Sequence, residues 1–203
     1  MKSYVFIAVA SLFLASLAQK AAAEPYICLN VGAAINTDGK LSDNTASGTM
    51  SYNTGFTLSG NAGLDFGISR IEMEIGYRTN DVDSLSVNGN SNILSGTIDV
   101  VDYMANGYLV VPFLYPVKPF VMAGVGLATM YAGEIKQGGT RISDSTSNSQ
   151  LAYQTGIGIS YEVSRRIDLD AGYRYFATSD FDLNGTKLEY RSHNLLLGCR
   201  YRF

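Results

Sequence analysis

Carboxylates and arginines recur at every second position in two stretches of this chain, where their spacing suits acid/base chemistry or ion pairing. The two sets are Arg70, Glu72, Glu74 and Arg78, and Asp168, Asp170 and Arg174. Residues two apart in a β-strand share one face of the sheet, so the acids of each pair would be neighbours. Neighbouring carboxylates can divide the roles of general acid and general base. An arginine is close to each pair, however, and its planar fork suits a carboxylate. The spacing therefore favours structural ion pairs over catalysis.

Other candidate catalytic or ligand-binding groups are few. The single histidine, His193, directly follows Ser192, so in a strand the two side chains point to opposite faces and cannot act as base and nucleophile. The glycines at 124, 126, 156 and 158 do not precede a helical pattern, as those of a nucleotide-binding loop would. We therefore predict no catalytic residue, no metal site and no cofactor. The formal net charge of -3 gives no basic footprint for nucleic acid.

The segments that carry these residues alternate between apolar and polar positions, as half-buried β-strands do. We count eight such segments: 26–35, 55–66, 70–80, about 98–113, 120–131, 150–161, 167–176 and a last one that ends at Phe203. In each of them one face is almost entirely apolar, while the other collects glycine, small polar residues and charge. Two faces of this kind suit a membrane strand that is apolar outside and polar inside.

The polar faces carry a nearly balanced set of charges. Five acids and five arginines share this side of the predicted strands: Asp65, Glu72, Glu74, Asp168, Asp170, Arg70, Arg78, Arg174, Arg200 and Arg202. The interior of an eight-stranded barrel is only wide enough for side chains. We therefore predict that these residues form a charge network that plugs the periplasmic half of the lumen and leaves no open water pore.

The connections between the strands alternate in length. Those after the second, fourth and sixth strands are short, whereas 36–54, 81–97, 132–149 and 177–187 are long, polar loops that we expect to be mobile. This alternation predicts an all-β fold, an eight-stranded antiparallel up-and-down transmembrane β-barrel with four long outer loops and short periplasmic turns. The alternative is a soluble β-sandwich or lipocalin-like barrel, in which the apolar face would be the core.

The first 23 residues have the features of a secretory signal peptide. Lys2 precedes an apolar run that extends from Tyr4 to Leu17, and small residues lead to a cleavage site between Ala23 and Glu24. The apolar run is too short for a membrane-spanning helix, which needs about 20 residues. We therefore predict a signal peptide over residues 1–23 and one barrel domain over residues 24–203.

Several motifs resemble those of the eight-stranded outer-membrane β-barrel family, which includes opacity-type surface antigens and the barrels of outer-membrane proteins A and X. The motifs are Met104-Ala105-Asn106, Pro119-Phe120-Val121, Ala123-Gly124-Val125-Gly126, the stretch from Asp168 to Tyr175, and the ending from Gly198 to Phe203. In this family the last strand commonly ends on phenylalanine and carries the signal for membrane insertion. The resemblance thus implies an assembly signal made by Leu195, Leu197, Tyr201 and Phe203.

The same resemblance implies a location in the outer membrane of a Gram-negative cell, with both termini in the periplasm. The expected partners are outer-membrane lipid, lipopolysaccharide and the barrel-assembly machinery, together with host or matrix ligands that contact the loops. Two functions remain open. The first is a structural anchor that acts as a surface-exposed antigen or adhesin with a closed lumen, and the second is a narrow channel for small or apolar solutes. An enzyme is the least favoured class.

Overall fold

The structure, a computed structural model, describes residues 23–36, 39–42, 47–52, 54–87, 90–111, 115–132, 135–137, 140–143, 146–179, 181–183, 186–188 and 190–203. Eight long strands make up most of it: β1 (Glu24–Asn36), β4 (Gly55–Asp65), β5 (Ser69–Val87), β6 (Asn90–Val110), β7 (Val117–Ala132), β10 (Thr146–Glu162), β11 (Ile167–Thr178) and β14 (Arg191–Arg202). Six short strands lie between them: β2 (Gly39–Ser42), β3 (Ser47–Tyr52), β8 (Ile135–Gln137), β9 (Thr140–Ser143), β12 (Phe181–Leu183) and β13 (Thr186–Leu188). The described residues include no helix long and apolar enough to cross a membrane.

The eight long strands close into an antiparallel barrel. Each pairs with the long strands before and after it in the chain, and β14 returns to pair with β1, from Tyr26 opposite Arg202 to Asn36 opposite Ser192. Closure satisfies the backbone hydrogen bonds of every wall strand, which a lipid environment requires. The predicted fold class, an eight-stranded up-and-down β-barrel, is therefore confirmed.

Strict alternation assigns each residue of the wall to one face. In β5, for example, Met73 and Ile75 are 65% and 59% exposed on the outside, whereas Glu72 and Glu74 are buried inside. The outer surface is consequently apolar around the barrel, and the interior contains most of the buried polar groups. This is the reverse of a soluble barrel, whose core would be apolar, and it excludes the lipocalin-like alternative.

Three short connections mark one end of the barrel, which we call the turn end. At the first of them Gly67 has a φ of 86°, a conformation that favours glycine, and its N–H donates to Asp65 Oδ1 at 2.7 Å. The second contains a cis peptide bond between Tyr115 and Pro116. The third, after Glu162, is closed by hydrogen bonds between Ser164 and Ile167. The predicted short turns are thus present.

The opposite end, which we call the hairpin end, contains more strand than the sequence pattern predicts. Strands β5 and β6 continue past the predicted boundaries at residues 80 and 98 and remain paired as far as Val87 and Asn90. Shorter hairpins form between β2 and β3, β8 and β9, and β12 and β13. The predicted boundaries are wrong here because backbone pairing does not need an apolar face, so alternation of hydrophobicity cannot reveal it.

Candidate functional site: the charged barrel interior

The strongest contact inside the barrel connects opposite walls. Strands β5 and β11 lie four places apart in the ring of eight, so they face each other across the lumen. Nη1 of Arg174 in β11 donates to both carboxylate oxygens of Glu74 in β5, at 2.8 and 2.7 Å. Their side chains are 8% and 0% exposed. This buried ion pair therefore spans the lumen near its middle.

Glu72, two residues earlier in β5, has a different set of partners. Phenol groups of Tyr26 and Tyr108 donate to its carboxylate at 3.0 and 2.8 Å, and the amides of Asn61 and Asn106 donate at 2.7 and 3.3 Å. Among the described residues no cation lies within ion-pair distance of it. Four neutral donors thus surround this carboxylate, as the burial of a charge requires. The two amides also donate to Oε2 of Glu74, at 3.0 and 3.1 Å.

A cluster of carboxylates around Arg200 lies nearer the turn end. The Arg200 guanidinium is within 2.9 Å of Asp170, 3.4 Å of Asp168 and 3.4 Å of Asp65, and it also donates to Ser160 at 3.0 Å. These partners come from β4, β10 and β11, so one arginine of β14 connects four strands. Almost all N–H groups of the Arg200 guanidinium therefore have an acceptor.

A second group of ion pairs forms the rim of the turn end. Arg202 contacts Asp168 at 3.1 Å, Glu24 at 3.6 Å and Glu162 at 3.7 Å. Lys118 donates to Glu162 at 2.6 Å. These side chains are more exposed than those deeper in the lumen, 24% and 17% for Lys118 and Glu162. The side chains of the network are therefore more exposed to water toward this end.

Arg78 extends the network toward the hairpin end. It forms an ion pair with Asp102 and lies over the ring of Phe176, with its guanidinium carbon 3.9 Å from the ring centroid. Both charged side chains are almost completely buried, at 2% and 0% exposed. The network is therefore not confined to the turn half of the lumen.

The structure places all ten predicted charged residues inside the barrel and in contact with other polar groups. Asp102 is missing from the predicted set, although its alternation with Val101 and Tyr103 places it on the polar face of its strand and could have indicated it. The neutral partners Tyr26, Asn61, Asn106 and Tyr108 are also missing, because sequence alternation draws attention to charge rather than to hydrogen-bonding capacity.

The residues of the predicted assembly signal lie on the outer face of β14. Leu195, Leu197 and Phe203 are 56%, 65% and 67% exposed, and the ring of Tyr201 packs against that of Phe203 at 5.4 Å. Their role in assembly stays a prediction. The cleavage site between Ala23 and Glu24 also stays a prediction, because residues 1–22 lie outside the described part of the chain; Glu24 is the first residue of β1.

The geometry around His193 does not form a nucleophile and base. Nδ1 of His193 lies 2.5 Å from the Tyr173 hydroxyl on the outer face, and its ring is 5.3 Å from that of Tyr175. Ser192 points inward and donates to Asn194 at 3.2 Å. No group of three or more residues suited to hold a metal ion occurs in the described part of the chain.

Comparisons with known proteins agree with this architecture. Residues 5–203 match the model of the outer membrane protein beta-barrel domain family, whereas no curated protein matches. Neisserial surface protein A is 23% identical, with a TM-score of 0.56, 87% of this chain covered and 97% of the other. OprG of Pseudomonas aeruginosa is 11% identical, with a TM-score of 0.60 and coverages of 89% and 96%. The outer membrane protease OmpT of Escherichia coli is 9% identical, with a TM-score of 0.54 and coverages of 89% and 97%. These likenesses concern the fold, and the family match shows that the chain is a member of the outer membrane protein beta-barrel family, located in the outer membrane.

Proposed function

We propose that this protein is an outer-membrane anchor with a closed lumen that presents its hairpin end at the cell surface as an antigen or adhesin. The observation that carries the closed lumen is the ion pair between Glu74 and Arg174, which joins opposite walls of the barrel. A buried pair held by two charge-assisted hydrogen bonds does not open easily, because separating it would leave two uncompensated charges.

The space left beside this pair is small. An interior cavity of about 30 Å³ lies among Glu72, Tyr108 and Arg174. That volume holds about one or two water molecules and no larger solute. Access from the turn end is further narrowed by the Arg200 cluster. A continuous water-filled pore is therefore not supported by the interior.

The surface role rests on the difference between the two ends. The turn end carries the start of β1, the end of β14 and the three short connections. The hairpin end carries the paired extensions of β5 and β6 and three further hairpins. Barrels of this kind keep short turns in the periplasm and long connections outside. We therefore assign the hairpin end to the exterior, where its polar connections would meet host or matrix ligands.

Conductance tests the closed lumen. Purified protein in planar bilayers is expected to show no stable open channel, and Arg166→Gln, which removes an exposed charge at the turn end, should behave in the same way. Arg174→Ala shortens a side chain that spans the lumen and is expected to produce flickering conductance. A large, stable conductance of the unaltered protein would contradict the proposal.

Adhesion tests the surface role. Residues 39–52, 90–95, 135–143 and 181–188 can each be replaced by a short turn, and each variant expressed on cells and measured for binding to host cells and matrix proteins. At least one replacement should reduce binding while leaving the barrel folded. If none of the four changes binding, the adhesin role is excluded and only display as an antigen remains.

One observation favours the alternative function, a narrow channel with a lateral opening. An apolar groove of about 590 Å³ on the outer face and the small interior cavity share Gly172 and Leu196, so the wall between them is thin. Gly172→Ala adds a methyl group there, whereas Gly60→Ala adds one at an open position of the wall. Uptake of small apolar solutes by liposomes that contain the protein would support the channel. This uptake should be slower with the Gly172→Ala variant than with the Gly60→Ala variant.

A further inference from the structure

The turn end contains a cavity that the closed-lumen role does not use. It has a volume of about 400 Å³, and its walls include Asp65, Arg70, Lys118, Asp168 and Arg202. Residues of two short connections, Gly67 and Tyr115, form its mouth. This is more than ten times the volume of the interior cavity deeper in the lumen, so a small molecule can enter from this end.

Arg70, at the inner side of this cavity, has few partners for a buried charge. Its side chain is 3% exposed, yet among the described residues it makes one hydrogen bond, from Nη2 to the Ser160 hydroxyl at 3.2 Å. Within the same part of the chain the nearest carboxylate oxygen, on Asp170, is 3.9 Å away, and Nε has no acceptor. A guanidinium has five N–H donors and normally uses most of them when it is buried.

The position of Arg70 is nevertheless fixed. Its guanidinium carbon lies 5.2 Å from the ring centroid of Tyr108 and 5.3 Å from that of Phe120. Stacking on aromatic rings holds the guanidinium plane without using its N–H groups, which stay available for an acceptor in the plane. Arg70 is thus an ordered donor with unused capacity.

The other cations of the cavity are already paired with carboxylates. Arg200 is occupied by three carboxylates and Ser160, as described above. Arg202 also contacts three carboxylates, and Lys118 donates to Glu162 at 2.6 Å. Among the described residues, Arg70 is therefore the cation of this cavity with the weakest carboxylate contact.

We propose that this cavity binds a small oxyanion, with Arg70 as its ligand. The bound group is a phosphate or a similar anion with several oxygens, because such an anion can accept parallel N–H bonds from a guanidinium fork. The three carboxylates that line the cavity, Glu24, Asp65 and Asp168, are paired with Arg200 or Arg202 and leave Arg70 available to the anion. The ligand reaches the site from the turn end of the barrel.

Inorganic phosphate is the probe that tests the site in the full chain. In maltoside micelles, which contain no phosphate, the Nε–H signal of Arg70 in arginine-labelled protein should shift saturably on addition of phosphate, and the signal of Arg166 should not. Sodium chloride at equal ionic strength is the control for screening. A shift that chloride reproduces, or no saturable shift, overturns the proposal even if no variant folds.

Arg70→Gln and Arg166→Gln form a matched pair of charge-removing variants. Arg70→Gln should weaken phosphate binding by about tenfold to a hundredfold, the usual effect of losing hydrogen bonds to a charged group, and Arg166→Gln should leave it unchanged. Equal affinity in folded Arg70→Gln overturns the proposal. In nanodiscs that contain phosphatidylglycerol, weakened binding of added phosphate would identify a lipid headgroup as the natural ligand, and unchanged binding would identify a free solute.

Discussion

Two carboxylates of one strand, Glu72 and Glu74, are buried with partners that differ in charge. Glu74 forms an ion pair with Arg174 on the far wall of the barrel, whereas Glu72 accepts hydrogen bonds from the phenols of Tyr26 and Tyr108. The amides of Asn61 and Asn106 donate to both carboxylates, so the two sites differ in an arginine for Glu74 and two phenols for Glu72. A buried acid therefore needs hydrogen-bond donors around its oxygens, and the identity of those donors determines whether the acid also joins opposite walls.

Loss of the ion pair between Glu74 and Arg174 should destabilise the barrel most. Glu74→Gln leaves the Arg174 guanidinium buried without a carboxylate, which typically costs about 3–5 kcal/mol of folding free energy. Urea unfolding in lipid vesicles, followed by the gel mobility of the folded form, measures it. The double variant Glu74→Gln with Arg174→Met should recover most of the loss. If the single variant costs no more than about 1 kcal/mol, the cross-lumen pair is not a main support of the barrel.

A smaller effect is expected on the Glu72 side. Tyr108→Phe removes one of four donors to a charged group, a loss of about 1.5–3 kcal/mol. Tyr103→Phe is the matched control, because Tyr103 is 56% exposed on the outer face of the same strand and should change stability by less than about 0.5 kcal/mol. The same unfolding measurement distinguishes them. Equal losses would mean that the phenol contributes little to holding Glu72.

The smallest effect concerns an ion pair that is open to water. Lys118→Gln separates Lys118 from Glu162 at the rim of the turn end, where exposed pairs contribute about 0.2–1 kcal/mol. The loss should shrink further when the unfolding is repeated at high salt, because exposed charges are screened. A cost as large as that of Glu74→Gln would show that burial does not separate the two classes of contact.

The orientation of side chains was largely predictable. Alternation assigned Glu72, Glu74 and Arg174 to the interior and Leu195 and Leu197 to the outside, and the structure agrees. This succeeded because a strand has a period of two, so one correct residue determines the face of every other residue in the strand. The hairpin end was less predictable, since the pairing of Val87 with Asn90 depends on the backbone and has no signature in hydrophobicity.

Partners inside the barrel were less predictable than faces. The sequence suggested that Glu72 and Glu74 would both pair with arginines, but only Glu74 does so among the described residues. Asp102 joined the network through Arg78 without having been assigned to it. Covalent geometry determines to which face each side chain of a strand points. Contacts across the lumen depend instead on the register of all eight strands.

The barrel, its polar interior and its apolar exterior could be predicted from local alternation and from the lengths of the connections. Which charges meet is visible only in the closed barrel. There Arg174 lies opposite Glu74, neutral donors surround Glu72, and Arg70 lies between two rings beside a cavity. Closure of the ring sets the distances across the lumen, and no stretch of sequence contains them.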